Sequence, residues 1–273
     1  MILNDRSYVF ILGAGAAKPY GFPLGVELYR EICKEYPSAV AEFCREAGMR
    51  NFEKDHRDAK YFAEQLALVS GVSIDRYVNI NPGFGRQGGL ATVTQICKAE
   101  AKSHLPGVDK IEGDWYKYLF QRLTDGLNSA DDLLRIGENR ITFITFNYDR
   151  SLEHYLFENL FALIKNSSNN KITREHVAKA FKSIRFFHVY GQIGKLPWQA
   201  GIYDNDNPML PQRQDIVPYG NLYGSLKISP FSAALHVMEQ KQIDMMYSSR
   251  KEKPELVEAR KCIEAADVIM ILT

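Results

Sequence analysis

Residues 8–25 read YVFILGAGAAKPYGFPLG, and the reading of the fold turns on them. The unbroken apolar run Tyr8–Leu12 has no polar alternation, so it reads as a strand buried on both faces, as in a parallel sheet. It passes straight into Gly13-Ala14-Gly15, and a second turn, Gly21-Phe22-Pro23, follows before Gly25. Without side chains at 13 and 15, the backbone can approach a pyrophosphate and aim the next amides at it. The third glycine of GxGxxG is replaced by Lys18, so the same residues also suit a plain strand-to-helix turn. Taken alone, the motif leaves both readings open. Lys18 reads as solvated rather than as a phosphate contact, and Gly21-Phe22-Pro23 reads as a flap over the strand tips.

Two further apolar runs, Ile141–Phe146 and Val268–Leu272, read as buried parallel strands, and Ile184–Tyr190 (IRFFHVY) as a fourth, more aromatic one. Between the first two strands, apolar residues recur at three-to-four spacing over Gly25–Tyr36, Ser38–Ala47, Ala59–Val69, Leu90–His104 and Asp114–Leu127. The turn NINPGFGRQGG (79–89) is too glycine-rich for the interior of an element. This block is too long for one crossover, so it reads as a helical insertion, about 26–138, capping the sheet. A helix over Arg150–Lys165 with Asp149 at its N-cap, a loop at 166–170, an irregular lobe at about 194–225 and a charged helix Glu252–Ala266 complete the chain. The whole is an α/β domain, a mostly parallel sheet with helices on both faces. Because the last strand stops at Thr273, where a ligand-contacting loop belongs, the C-terminus reads either as truncated or as an unusual ending of the fold.

Composition narrows the function classes. A formal net charge of +1 and the lack of a basic block give no signal for direct nucleic-acid binding. The four cysteines, Cys33, Cys44, Cys97 and Cys262, form no CxxC pair, and no metal-ligand spacing is visible. No apolar run reaches the ~18–20 residues needed to cross a bilayer, and Asn4, Asp5 and Arg6 break any signal peptide. A cytoplasmic protein with no membrane partner is expected.

Two other stretches carry chemistry. In TFNYDRSLE (145–153), Asn147 and Asp149 follow a strand directly, at the carboxyl edge where open sheets bind ligands. Asn147 also suits a strand-ending turn, and Asp149 is first of all a helix cap. In FFHVYGQIG (186–194), His188 and Tyr190 alternate on one strand face, and Gly191 permits close approach by a ligand. A lone histidine among aromatics is more often a satisfied core residue than a base.

Taken together and in order, these stretches resemble the sirtuin-like NAD-binding superfamily. GAGAAKPYGFPLG keeps the spacing of the family's GAGxSxxxGIPDFR, ITFNYD stands where QNID falls, and FFHVYG where its HG strand falls. The resemblance runs from Tyr8 to about Leu272 and implies a Rossmann-like fold. The chain departs at Ala17, Leu24, Gly25 and Val26, losing the serine and the Asp-Phe-Arg, and it has no four-cysteine zinc module. It is therefore more similar to the bacterial sirtuin-like domains of anti-phage systems, which destroy NAD, than to protein deacylases.

The resemblance implies hydrolysis of NAD, as substrate, to nicotinamide and ADP-ribose, with no metal. Asn147 would hold the water or the ribose hydroxyls, His188 would accept a proton, and Asp149 would steady the loop. Gly13, Gly15 and the following amides, Ala16 included, would bind the diphosphate. Ala14 and Pro23 would line the nicotinamide side, Gly21, Phe22 and Gly191 would also bind the cofactor, and Tyr190 is the alternative to His188 at the ribose. His188 is preferred to Tyr190 because an imidazole titrates near neutrality and a phenol near ~10. A homo-oligomer is implied, as is a partner such as a HerA-type ATPase. The alternatives are a non-catalytic sensor of NAD or an ADP-ribose derivative, and a scaffold for a partner.

Overall fold

The computed structural model describes residues 6–46, 53–69, 71–103, 105, 111–166, 172–203, 215–223, 226–241, 243 and 254–273. Its centre is a four-stranded parallel sheet formed by β1 (Tyr8–Leu12), β2 (Ile141–Thr145), β3 (Arg185–His188) and β6 (Val268–Leu272), in the order β3-β2-β1-β6. A small antiparallel pair, β4 (Leu222–Tyr223) and β5 (Leu226–Lys227), stands apart from it. Alternation along the strands sorts side chains onto two faces. Phe10, Phe143 and Phe186 are in register across three strands, with ring centroids 5.2 and 4.9 Å apart. They join the main core, while Val9, Ile11, Ile144 and Phe187 face the opposite side. There they meet Ala259, Cys262 and Ile263 of α11 (Pro254–Glu264). Helices therefore cover both faces, the Rossmann-like α/β arrangement expected from the sequence.

From β1 to β2 the chain forms α1 (Ala14–Ala17), α2 (Gly25–Glu46), α3 (Glu53–Ala67), α4 (Ile74–Ile80), α5 (Gly85–Lys102), α6 (Trp115–Thr124) and α7 (Ala130–Leu133). Between β2 and β3 come α8 (Ser151–Ile164) and α9 (Arg174–Phe181), and α10 (Pro230–Glu239) follows the small hairpin. Most of the 166–170 loop and residues 204–214 of the irregular lobe lie outside the described residues.

Several boundaries differ from the sequence reading, each for a physical reason. The two helices expected on either side of Pro37 are one helix, α2. Ile32, Tyr36 and Val40, at four-residue spacing, are all fully buried, so packing outweighs the ~3 kcal/mol a helical proline costs. The turn expected at 79–89 ends early, because Gly88 and Gly89 lie inside α5. A Cβ on Gly88 would sit 2.4 Å from Val78 Cγ2, and one on Gly89 2.4 Å from Met238 Cε. Those glycines let α4 and α10 approach the α5 backbone.

The apolar run Val268–Leu272 is a strand as expected, but it is the sheet edge. Ile269, Met270 and Ile271 are exposed rather than buried on both faces. Among the described residues, no helix is long and apolar enough to cross a membrane.

Candidate functional site

The order β3-β2-β1-β6 puts the topological switch point between β1 and β6, and open α/β sheets bind ligands outside the strand ends there. The Gly13-Ala14-Gly15 turn leaves β1 at that point, where the Gly13 N–H donates to Leu272 O at 2.8 Å. Gly13 is half-buried, Ala14 is exposed, and Ala16 is buried. Gly15 has a structural reason to be glycine. A Cβ on it would lie 2.3 Å from the Thr273 carbonyl carbon. The plain-turn reading thus explains Gly15 on its own; a Cβ on Gly13 would also touch Thr273, at 3.5 Å from its Cα, and the exposed residue of the turn is Ala14.

The segment after the turn is firmly held. A 3-10 turn spans Lys18–Tyr20, and Gly21 closes it at φ 91°, a left-handed conformation that favours glycine. Lys18 is not simply solvated, since it pairs with Glu27 at 2.5 Å. Glu27 also accepts from the Leu24 N–H at 2.8 Å, and both bonds hold its carboxyl below the usual range. The Tyr20 ring stacks on Tyr116 at 3.7 Å, and Trp115 Nε1 donates to Ala16 O at 2.7 Å. Phe22 is 2% exposed and belongs to the core, so it is not available to line a nicotinamide pocket. Gly21 and Pro23 face a separate small cavity between α2 and α5.

Beyond β2, Asn147 draws the distant stretches together. Its N–H donates to Thr145 Oγ1 at 3.0 Å, and its side-chain Nδ2 donates to Gly13 O at 2.9 Å. The Asn147 carbonyl oxygen lies 3.0 Å from His188 Nδ1, and His188 Nε2 lies 2.6 Å from Glu153 Oε1. A carbonyl accepts only, so Nδ1 carries a proton. Burial pulls the His188 pKa down, but the Glu153 carboxylate, its hydrogen bond and the Asn147 carbonyl push it up further, leaving it above the ordinary value. Both ring nitrogens are thus engaged, Nδ1 donating to the Asn147 carbonyl and Nε2 paired with the Glu153 carboxyl. In this arrangement accepting a proton from a substrate, the role expected of His188, requires Nε2 to leave Glu153.

Two other expectations change. Asp149 is not the N-cap, because α8 starts one residue later, after Arg150. Asp149 is buried and accepts from both the backbone N–H (3.1 Å) and the hydroxyl of Ser151, so it secures the turn. Burial raises its pKa despite those bonds. Tyr190 does not share a strand face with His188. The strand stops at His188, and the Gly191 N–H closes a turn on His188 O at 3.1 Å, with Gly191 at φ 84°. The Tyr190 ring instead lies 5.9 Å from the Phe146 ring.

His188 and Gly191 border a cleft of about 650 Å³ beside β3, with Phe186, Lys195, Asp215 and Glu255. Neither Gly13 nor Asn147 lines it. His188 therefore borders this cleft and reaches the Asn147 carbonyl after β2, with β2 between it and β1.

Glu153, Arg150 and Glu100 escaped the sequence reading. Glu153 sits among the apolar positions Leu152, Tyr155 and Leu156 of α8, and a carboxylate interrupting a buried stripe was the available signal. Arg150 and Glu100 are both fully buried and form an ion pair at 2.6 Å that joins α5 to the β2–α8 junction. Among the described residues, no group of three His, Cys, Asp or Glu side chains is placed to hold a metal ion.

A second buried histidine gives a prediction. His154 stacks on Tyr219 at 3.9 Å, and burial pulls its pKa down to about 4 against the opposing pull of Glu158. The unfolded chain therefore binds a proton there that the folded chain does not, between about pH 6.5 and 4. Stability should fall by about 3 kcal/mol through this group as pH drops across that window. Urea unfolding at pH 7 and pH 4.5 of the parent and His154→Phe checks it, the variant losing less.

No protein-family model and no curated protein matches this sequence.

Proposed function

We propose that the chain binds NAD at the carboxyl edge of the sheet and hydrolyses its nicotinamide–ribose bond, giving nicotinamide and ADP-ribose. The observation that carries this is the Asn147 junction. Its side chain holds Gly13 O, and its carbonyl is held by His188, so three stretches far apart in sequence meet beside the switch point.

The diphosphate would lie against the Gly13-Ala14 backbone, approached from the exposed Ala14. The cationic nicotinamide ring leaves the ribose carbon as neutral nicotinamide, taking the C–N electron pair, so its departure needs no proton. The ribose carbon becomes oxocarbenium-like, and a water held by Asn147 adds to it, losing a proton to solvent. His188, tied by Glu153, acts as a positioning residue that fixes the Asn147 backbone, and Asp149 fixes the turn behind it. Following the resemblance, the biological role is that of a toxic effector in anti-phage defence. It would work as a homo-oligomer with a HerA-type ATPase as partner.

One observation favours a second reading. A histidine engaged at both nitrogens also suits a site that binds NAD, or an ADP-ribose derivative, without cleaving it.

Carbocyclic NAD, with the ribose ring oxygen replaced by CH₂, tests binding apart from turnover, because it cannot form the oxocarbenium. Calorimetric titration should show saturable binding to the parent chain, weakened by Gly13→Val. No binding to the parent would remove both readings.

A further inference from the structure

A cavity of about 120 Å³ lies between α2 and α5, lined by Gly21, Pro23, Glu31, Gln95, Lys98 and Lys102 among others. Gln95, Lys98, Ala99 and Lys102 share one face of α5 by their spacing of three, four and seven residues. The rim is charged, and Lys98 pairs there with Glu35. Two acids and two bases leave it without net charge, so nothing at the rim selects an anion or a cation.

The unmet demand lies deeper. Gln95 is 1% exposed, and neither its Nε2 nor its Oε1 has a hydrogen-bond partner. A buried amide without partners is an exception that calls for an explanation. One turn earlier, Thr92 Oγ1 is unpartnered as well. The Gln95 carboxamide offers an acceptor and a donor side by side, which matches a planar edge carrying an adjacent donor and acceptor. A primary carboxamide has that edge, and so does the N6/N7 side of an aminopurine. The volume is below the ~150 Å³ of an enclosed cavity that takes up benzene, but this one is open to solvent on one side, so a planar ring can enter edge-first with part of it outside.

We infer that this cavity is a binding site for a small, uncharged, planar molecule whose donor–acceptor edge pairs with the Gln95 carboxamide. Two of its walls, Gly21 and Pro23, belong to the segment between β1 and α2. An occupant would thus brace that segment against α5. The site does not depend on the chain acting on NAD.

The test uses the full chain, with the Gln95 side-chain amide followed by two-dimensional ¹⁵N NMR. Benzamide and adenine are the probes. Benzoate, an acceptor only, and benzamidine, a donor only, are the controls. Benzamide or adenine should shift the Gln95 amide saturably, and whichever does so names the source of the edge. The controls should bind at least about tenfold more weakly, since a site built to hydrogen-bond rejects groups that leave it unpaired. Gln95→Leu, titrated by calorimetry because it lacks the reporting amide, should keep the fold and lose the binding. Ala99→Leu, which fills the cavity from the next turn, should lose it too, so the outcome does not hang on one variant. Three results would overturn the inference: no probe shifting the amide at millimolar concentration, equal binding by both variants, or a Gln95 amide satisfied by Thr92 or by fixed water alone.

Discussion

Glu100→Gln should cost about 3–5 kcal/mol of folding stability, the largest effect expected of any single substitution away from the catalytic candidates. Arg150 and Glu100 are both 0% exposed, with Arg150 Nη2 and Nε donating to the two Glu100 oxygens at 2.6 and 3.2 Å. Arg150 Nη1 also donates to the carbonyls of Gly194 and Val217. Burial raises the Glu100 pKa, and the adjacent guanidinium opposes it. The variant preserves shape but strands a buried positive charge, which is why the loss exceeds that of an ordinary hydrogen bond. For a chain of this size the unfolding midpoint should drop on the order of 10 °C. The double variant Glu100→Leu/Arg150→Met should be less damaged than Glu100→Gln, because no charge is left unpaired. A Glu100→Gln variant within about 1 kcal/mol of the parent would show that the pair contributes little.

Asn147→Ala should abolish nicotinamide release by about 10²–10³-fold, the usual cost of deleting one positioned polar group at a reacting centre. Its stability loss should be only about 1 kcal/mol, that of one partly exposed hydrogen bond to Gly13 O. The separation between the two effects is informative. Asn147 holds its carbonyl toward His188 through the backbone, so the alanine variant keeps that bond and loses only the side-chain amide. A variant that unfolds, or one that keeps full turnover, would both remove Asn147 from the proposed chemistry. His188→Gln should be milder than Asn147→Ala, since the ring positions the loop and its Nε2 is held by Glu153.

The sheet was legible in the sequence where strands are uniformly apolar. Tyr8–Leu12 and Val268–Leu272 have the expected bounds because neither contains a polar residue to blur its ends. The edge position of the second was not legible, since an apolar pentapeptide looks the same at an edge as at a centre. Tyr190 misled for a related reason. Alternation predicts a shared face with His188 only while the chain stays extended, and the turn closed by Gly191 ends that two residues early. Asn147 and His188 could be read as meeting because each follows or ends a strand. The Glu153 carboxylate that occupies His188 could not, because it arrives from a helix whose rotation depends on tertiary packing. Pro37 and the α5 glycines show the same limit, with local rules overruled by buried neighbours on other helices.

The most direct test of NAD hydrolysis follows NAD by proton NMR at saturating concentration, with the parent chain and Asn147→Ala side by side. The proposed function predicts nicotinamide and ADP-ribose appearing in equal amounts with the parent, and almost none with the variant. NAD left intact by a parent chain that binds carbocyclic NAD would contradict it and leave the sensing role in its place.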